Sequence, residues 1–255
     1  MVLTGVLYLI PSPLGDTPLE QVLPEHTRRI AAGLTTFIVE RPKTARGFLK
    51  RLPTLTPLQA LEILELNEHT RPHELEALLA PLLAGRDVGL LSEAGCPAVA
   101  DPGAELIRRA HVHGIRVRPL VGPSAIVLAL MGSGLVGQRF AFHGYLPAKP
   151  QDRATVLRQL ERRAEQDDAA QVFIETPYRN GAMLESLLAC CQDDTWVTLA
   201  CDLTLETERV ASKRVAEWRQ ARPDIDRRPC VFLLWRPAAQ AKTQRSKHAE
   251  LGASR

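Results

Sequence analysis

Two loops of small residues hold most of the groups that could bind a ligand. Ser92–Gly103 (SEAGCPAVADPG) and Val121–Ala125 (VGPSA) each follow an apolar segment and precede a helical one. In α/β proteins, such loops present backbone N–H groups and a helix N-terminus to a ligand. Because the loops are about 25 residues apart, we expect them to hold one ligand from two sides. In the alternative interpretation, their Gly and Pro residues only form turns.

Several side chains in or near these loops could transfer protons. Glu93 is the best-placed catalytic candidate because a strand is expected to end just before it, and Glu68 and His69 lie in a polar segment upstream. Glu93 could instead cap the loop or contact a ribose, and His69 could simply be exposed to solvent. We expect Asp101 to be a helix N-cap. Cys96 has no recognisable base partner, which favours a packed thiol.

The elements that would position these residues alternate between strand and helix in the first half of the chain. Apolar patterns predict strands at Val6–Ile10, Thr35–Val39, Asp87–Leu91 and Ile115–Leu120. Leucines on one face predict a helix over 75–83, and Gly85 follows it. This alternation is typical of a parallel, doubly wound sheet.

The second half of the chain predicts another α/β domain. Strands are expected at Phe140–Leu146, Val172–Glu175, Trp196–Ala200, Val210–Val215 and Cys230–Trp235, with helices over 152–165 and 180–191. We therefore divide the chain into domains at 1–121 and 122–237. The segment 238–255 is basic and lacks an apolar period, so we expect it to be disordered.

Composition excludes several classes of protein. The tail at 238–255 carries the whole formal net charge of +3, so residues 1–237 are formally neutral and do not suggest a general nucleic-acid binder. The five cysteines form no CxxC pair and show no metal-ligand spacing; their odd number argues against a disulfide framework. We expect no bound metal, no membrane span, no signal peptide and a cytoplasmic location.

Five segments occur in an order that carries a family resemblance. They are Tyr8–Asp16 (YLIPSPLGD), Ser92–Gly103, Pro119–Ala125 (PLVGPSA), Phe140–Pro147 (FAFHGYLP) and Glu175–Arg179 (ETPYR). Over about residues 5–236 the chain resembles the tetrapyrrole (corrin/porphyrin) methylase superfamily of S-adenosylmethionine-dependent methyltransferases. Within it, the chain is most similar to the branch that 2′-O-methylates a cytidine of small-subunit ribosomal RNA.

The resemblance implies two α/β domains with S-adenosyl-L-methionine in the cleft between them, in a homodimer that acts on RNA. Arg46 and Arg179 would bind the substrate. The residues implied for cofactor binding are Pro13, Leu14, Gly15, Glu93, Ala94, Gly95, Val99, Ser124, Ala125, Thr176, Pro177, Tyr178, Pro229, Cys230 and Val231.

The chain departs from that branch at positions suited to phosphate binding. Glu40–Lys43 (ERPK) replaces Glu-Asp-Thr-Arg, and Cys201–Leu205 (CDLTL) replaces Arg-Glu-Leu-Thr-Lys, which removes an Arg and a Lys. The methyltransferase interpretation is therefore stronger than the RNA one. The alternatives are a small-molecule methylase acting on a tetrapyrrole, a cofactor-binding paralogue without catalysis, and a methylase of a protein or peptide.

Overall fold

A computed structural model describes residues 4–237 of the chain. The chain divides into two compact units between Ser124 and Ala125. The boundary predicted after residue 121 lies in the loop just before this point, and the predicted tail at 238–255 lies outside the described residues.

The first unit contains a five-stranded sheet in which every pair of neighbours is parallel. Its strands are β1 (Val6–Ile10), β2 (Thr36–Val39), β3 (Glu62–Glu65), β4 (Val88–Leu91) and β5 (Arg116–Pro119), in the order β3-β2-β4-β1-β5. Its helices are α1 (Leu19–Val22), α2 (Glu25–Gly33), α3 (Pro42–Leu49), α4 (Leu75–Leu83) and α5 (Ala104–Val112). The residues of β2 and β4 are all buried, as expected for a sheet covered on both faces.

The second unit contains a mixed sheet. Its strands are β6 (Phe140–Tyr145), β7 (Ala170–Ile174), β8 (Trp196–Cys201), β9 (Arg209–Arg214) and β10 (Cys230–Trp235), in the order β6-β7-β10-β8-β9. Only β6 and β7 are parallel to each other. Its helices are α6 (Ala125–Ser133), α7 (Pro150–Asp167), α8 (Asn180–Cys190) and α9 (Val215–Gln220). Phe173 and Phe232 stack in its core with ring centroids 5.7 Å apart.

A disulfide in the second unit corrects the expectation drawn from the cysteine count. Cys201 at the end of β8 is bonded to Cys230 at the start of β10. The two residues are direct partners in the antiparallel register, which brings their Cβ atoms to the same face of the sheet. Their separation of 29 residues hides this register from a count of spacings.

The expected N-cap role of Asp101 is wrong. Helix α5 begins at Ala104, and its N-cap residue is Gly103, whose φ of 137° places the backbone in a region that favours glycine. Asp101 therefore lies two residues before the cap, inside the loop. Over residues 4–237, no helix is long and apolar enough to cross a membrane.

Candidate functional site

The parallel sheet of the first unit brings its functional candidates to one edge. The carboxyl ends of parallel strands lie at the same edge, which is where ligands bind in open α/β sheets. Ser12 follows β1 there, Glu40 follows β2, Glu68 lies beyond β3, and Glu93 lies just after β4. The predicted position of Glu93 after a strand is confirmed.

Backbone groups tie the loop after β1 to the loop after β4. The Ser12 N–H donates to the Gly95 carbonyl and the Gly95 N–H donates to the Ser12 carbonyl, each at 2.9 Å. The Ser12 hydroxyl also donates to the Ser92 carbonyl at 2.8 Å. These bonds satisfy buried polar groups without using long side chains, so the loops stay compact.

The loop that follows β5 approaches the paired loops after β1 and β4 at Gly95. Gly95 has a φ of +72°, and a Cβ placed on it would lie 3.4 Å from Leu14 Cδ2 and 3.7 Å from the Pro123 carbonyl oxygen. The Cys96 thiol approaches that same carbonyl at 3.5 Å. The two small-residue loops singled out in the sequence therefore lie side by side as far as Ser124, the last residue of the first unit.

A cavity of about 280 Å³ opens beside these loops, entirely within the first unit. Five predicted cofactor-binding residues line it, namely Pro13, Leu14, Gly15, Glu93 and Ala94. Helix α3, which no pattern in the sequence predicted, supplies another wall through Thr44, Ala45, Gly47 and Phe48. The cavity thus combines small, apolar and acidic groups, as small-molecule sites commonly do.

Three carboxyl groups at this edge influence one another. Burial, and after it the negative charges of Glu40 and Glu93, together raise the pKa of Asp101 to about 6, although a hydrogen bond with Ser92 opposes the rise. Burial also raises the pKa of Glu40, with Glu93 as the next cause. A carboxyl group with a pKa near 6 is suited to exchange protons at neutral pH.

The first-unit catalytic candidates differ in their surroundings. Glu93 accepts a hydrogen bond from the Thr44 hydroxyl at 3.1 Å, and the Arg41 guanidinium lies 3.9 Å from the same carboxylate oxygen. The side chains of Glu68 and His69 are 85% and 83% exposed and lie 3.7 Å apart. They do not line the cavity, and the exposed location considered for His69 is the one observed.

Other residues considered in the sequence lie around the same loops. Val99 is half-exposed in the Ser92–Gly103 loop, and Arg46 is exposed on α3. Ser124 is the last residue of the first unit. Burial raises the pKa of Cys96, which keeps it a thiol and agrees with a packed side chain.

The second unit brings its own two candidate segments together. Val231 on β10 is the register partner of Ile174 on β7, so Pro229–Val231 runs beside the start of Thr176–Tyr178. The Arg227 N–H donates to the Pro177 carbonyl at 3.1 Å, which links the two segments again. Ala125 begins helix α6 in this unit.

Buried polar side chains support these segments. The carboxylate oxygen Oε1 of Glu175, a fully buried side chain, accepts bonds from Arg179 Nη2 at 2.6 Å and Nε at 2.9 Å. Asn180 donates to the Arg228 carbonyl at 2.6 Å, and Arg228 forms an ion pair with Asp202 at 2.8 Å. The proposed substrate-binding group of Arg179 is thus already bonded to Glu175.

Two buried acceptors beside the Thr176–Tyr178 segment have no hydrogen-bond donor among the described residues. They are Oε2 of Glu175 and Oδ1 of Asn180. Buried polar atoms are nearly always paired, so these two acceptors are exceptions that lower the stability of the second unit.

Sequence reasoning missed three residues at the edge of the first sheet. Glu40 and Thr44 gave no signal beyond their residue types, because their roles depend on how β2 and α3 pack. Asp101 stood in a recognised motif, but its Asp-Pro-Gly sequence suggested an N-cap.

Comparisons with known proteins place these features in a family. Ribosomal RNA small subunit methyltransferase I of Escherichia coli O157:H7 is 32% identical over 216 residues, which cover 84% of this chain and 70% of that protein. The protein of the same name from Xylella fastidiosa is 31% identical over 90% of this chain and 80% of its own. No protein-family model matches the chain.

Solved structures agree on the fold. The crystal structure of the methyltransferase CobJ superposes with a TM-score of 0.60 at 21% identity, covering 91% of this chain and 94% of that one. Uroporphyrin-III-C-methyltransferase from Thermus thermophilus superposes with a TM-score of 0.54 at 19% identity, covering 91% and 92%. The predicted pair of α/β domains of the tetrapyrrole methylase type is therefore confirmed.

Proposed function

The chain belongs to the ribosomal RNA small subunit methyltransferase I family, and on that premise we propose that it methylates the ribose 2′ oxygen of a cytidine in small-subunit ribosomal RNA. The methyl donor would be S-adenosyl-L-methionine. The observation that carries the proposal is the meeting of the Ser12–Gly15, Ser92–Gly103 and Val121–Ser124 loops beside an acidic cavity.

The residues present fit this cofactor. Gly15 and Ala94 line the cavity with little side-chain bulk, which lets a ligand approach the backbone, and Leu14 offers an apolar contact beside them. The cofactor, when bound, supplies an already activated methyl group on a sulfonium. The protein then has mainly to align donor and acceptor.

The acceptor hydroxyl must lose its proton, and the carboxylates at the sheet edge are the candidates to take it. Glu93 is held in place by Thr44 and lines the cavity. Asp101 has a pKa of about 6, so at neutral pH it is ionised yet basic enough to accept a proton. We assign proton acceptance to Asp101, which lies in the loop beside the cavity and not in its lining, and positioning of the acceptor to Glu93, which lines it. The exposed pair Glu68 and His69 would lie at the entrance.

The remaining parts of the proposal concern partners. Arg46, exposed on α3, would contact RNA, whereas Arg179 would hold the Thr176–Tyr178 segment through Glu175. The protein would work in the cytoplasm as a homodimer. Met131, 74% exposed on the apolar helix α6, offers a surface that a second copy could cover.

Transfer of a labelled methyl group tests the function. Small ribosomal subunits from a bacterial strain lacking this kind of methyltransferase are incubated with the protein and S-adenosylmethionine labelled in its methyl group. We expect label in RNA and, after digestion to nucleosides, in 2′-O-methylcytidine. Label in an added tetrapyrrole or in protein would replace the RNA proposal. Binding of the cofactor without any transfer would indicate a paralogue that has lost catalysis.

A further inference from the structure

Helix α3 and its flanks form the most one-sided concentration of charge in the first unit's described sequence. Residues 41–51 contain Arg41, Lys43, Arg46, Lys50 and Arg51 and no acidic residue. This concentration stands out because residues 1–237 are formally neutral. The helix also forms a wall of the cavity that holds Glu93.

The five cations fall into two groups. Arg41 lies 3.9 Å from Glu93, and Arg51 lies 3.7 Å from Asp16 and donates to the Thr17 carbonyl, so both support the cavity wall. Lys43, Arg46 and Lys50 are exposed, and none forms an ion pair with a residue in 4–237. Their spacing of three and four residues places them along one face of the helix. We call these three residues the α3 basic stripe.

Helix stability explains only part of the stripe, because the helix dipole favours a cation at Arg46 in the last turn and at Lys50 at the C-cap but not at Lys43. Lys43 lies in the first turn, where the helix dipole disfavours a cation, and no acidic residue compensates for it. Like charges three and four residues apart also destabilise a helix by a few tenths of a kcal/mol per pair. Ala45, Phe48 and Leu49 anchor the opposite side of the helix in the core, so its exposed side is free to serve another purpose.

The stripe has the dimensions of a short run of phosphates. Lys43 and Lys50 are seven residues apart, or about 10 Å along the helix axis. That length matches about three stacked nucleotide steps of about 3.4 Å each. Lys and Arg side chains are the usual phosphate ligands in RNA complexes, where they fix the register of the strand.

We propose that the α3 basic stripe binds the phosphates that flank the acceptor nucleotide, so that the RNA strand runs along α3 past the cavity. This inference rests on the proposed RNA methyltransferase function and specifies where that function holds its substrate. It also accounts for RNA binding by a neutral body that lacks the Arg and Lys of the family's second-domain motif: the cations are concentrated on one helix instead.

The test removes the stripe and measures the salt dependence of RNA binding. The triple variant Lys43→Gln, Arg46→Gln, Lys50→Gln is compared with Arg158→Gln, Arg162→Gln, Arg163→Gln, which removes the same charge from the exposed side of α7. The probe is a fluorescent 20-nucleotide single-stranded RNA, titrated over a series of salt concentrations with S-adenosylhomocysteine present. A Lys43→Arg, Lys50→Arg variant preserves the charge.

We expect the stripe variant to bind RNA ten- to a hundredfold more weakly at about 0.1 M salt, with a log–log salt slope smaller by about 2. The α7 variant and the charge-preserving variant should match the wild type, and S-adenosylhomocysteine should bind all four proteins equally. A stripe variant with wild-type slope and affinity would overturn the inference while leaving the function intact. If the wild type itself bound the cofactor product but neither bound nor methylated RNA, the proposed function would fall along with the inference.

Discussion

The candidate segments of the first unit are tied to one another through backbone groups, whereas those of the second unit are supported by buried side chains and a disulfide. Ser12 and Gly95 exchange main-chain hydrogen bonds beside an open cavity. By contrast, Glu175, Arg179 and the Cys201–Cys230 bond lie beneath the second set. In the first unit the side chains at the site thus remain available for chemistry. In the second unit the polar side chains form the hydrogen bonds and ion pairs that stabilise the fold.

This difference predicts that side-chain substitutions cost more stability in the second unit. The largest expected effect is that of Arg179→Met, because it leaves the buried Glu175 carboxylate without its cation. We expect a loss of about 3 kcal/mol in the free energy of unfolding, measured by urea denaturation.

Two further variants sharpen that result. Arg222→Met changes an exposed arginine of the same unit and should alter stability by less than about 0.5 kcal/mol. Adding Glu175→Gln to Arg179→Met should restore part of the lost stability by removing the unpaired charge. Equal effects of the two arginine variants would contradict the supporting role of the Glu175–Arg179 pair.

Loss of the disulfide should lower the free energy of unfolding nearly as much as Arg179→Met does. The bond closes a loop of 29 residues, for which the chain-entropy model gives at most about 3.6 kcal/mol of stabilisation. Urea denaturation with and without dithiothreitol measures this difference, and the variant Cys201→Ser, Cys230→Ser should be insensitive to the reductant. Unchanged wild-type stability after complete reduction, verified by thiol titration, would show that the bond does not stabilise the second unit.

In the first unit, replacing a charged side chain by a neutral one should raise the free energy of unfolding instead of lowering it. The pKa of Asp101 is raised to about 6 in the folded protein, so the folded state binds its proton more tightly than the unfolded chain. The free energy of unfolding therefore falls as pH rises from about 4 to about 6. Asp101→Asn removes this loss and should stabilise the protein by about 1 kcal/mol at pH 7, after allowance for solvent screening.

The substitution Asp101→Asn should lower the activity although it raises the stability. A proton acceptor works only when ionised, so the wild-type rate should rise with pH through about 6 and then level off. Asp101→Asn should lose at least about a hundredfold in kcat while still binding S-adenosylhomocysteine. A variant that is more stable and fully active would remove Asp101 from the chemistry.

The sequence predicted the regular parts of both units well and the connections between distant elements poorly. The strands Val6–Ile10 and Cys230–Trp235 lie where their apolar runs placed them, because a buried strand needs little more than such a run. Helix α3 was not predicted, because its apolar face is short and because Pro42, Thr44 and Gly47 have low helix propensities.

In the candidate site too, local features could be predicted from the sequence and features that depend on distant elements could not. Small-residue loops follow from local chemistry, so the meeting of the Ser92–Gly103 and Val121–Ala125 loops could be expected. The Cys201–Cys230 bond and the raised pKa of Asp101 arise from strand register and from charges on other strands, which no local pattern records.

The loop around Gly95 allows the most direct test of the account, which is calorimetric titration with S-adenosylhomocysteine. Gly95→Val is compared with Gly114→Val: the two glycines have φ values of 72° and 66°, so both substitutions strain the backbone alike, but a Cβ on Gly114 meets open space. We predict saturable binding to the wild type and to Gly114→Val, with loss of binding in Gly95→Val. Absence of binding to the folded wild type at millimolar ligand would contradict the proposal that this protein is an S-adenosylmethionine-dependent methyltransferase.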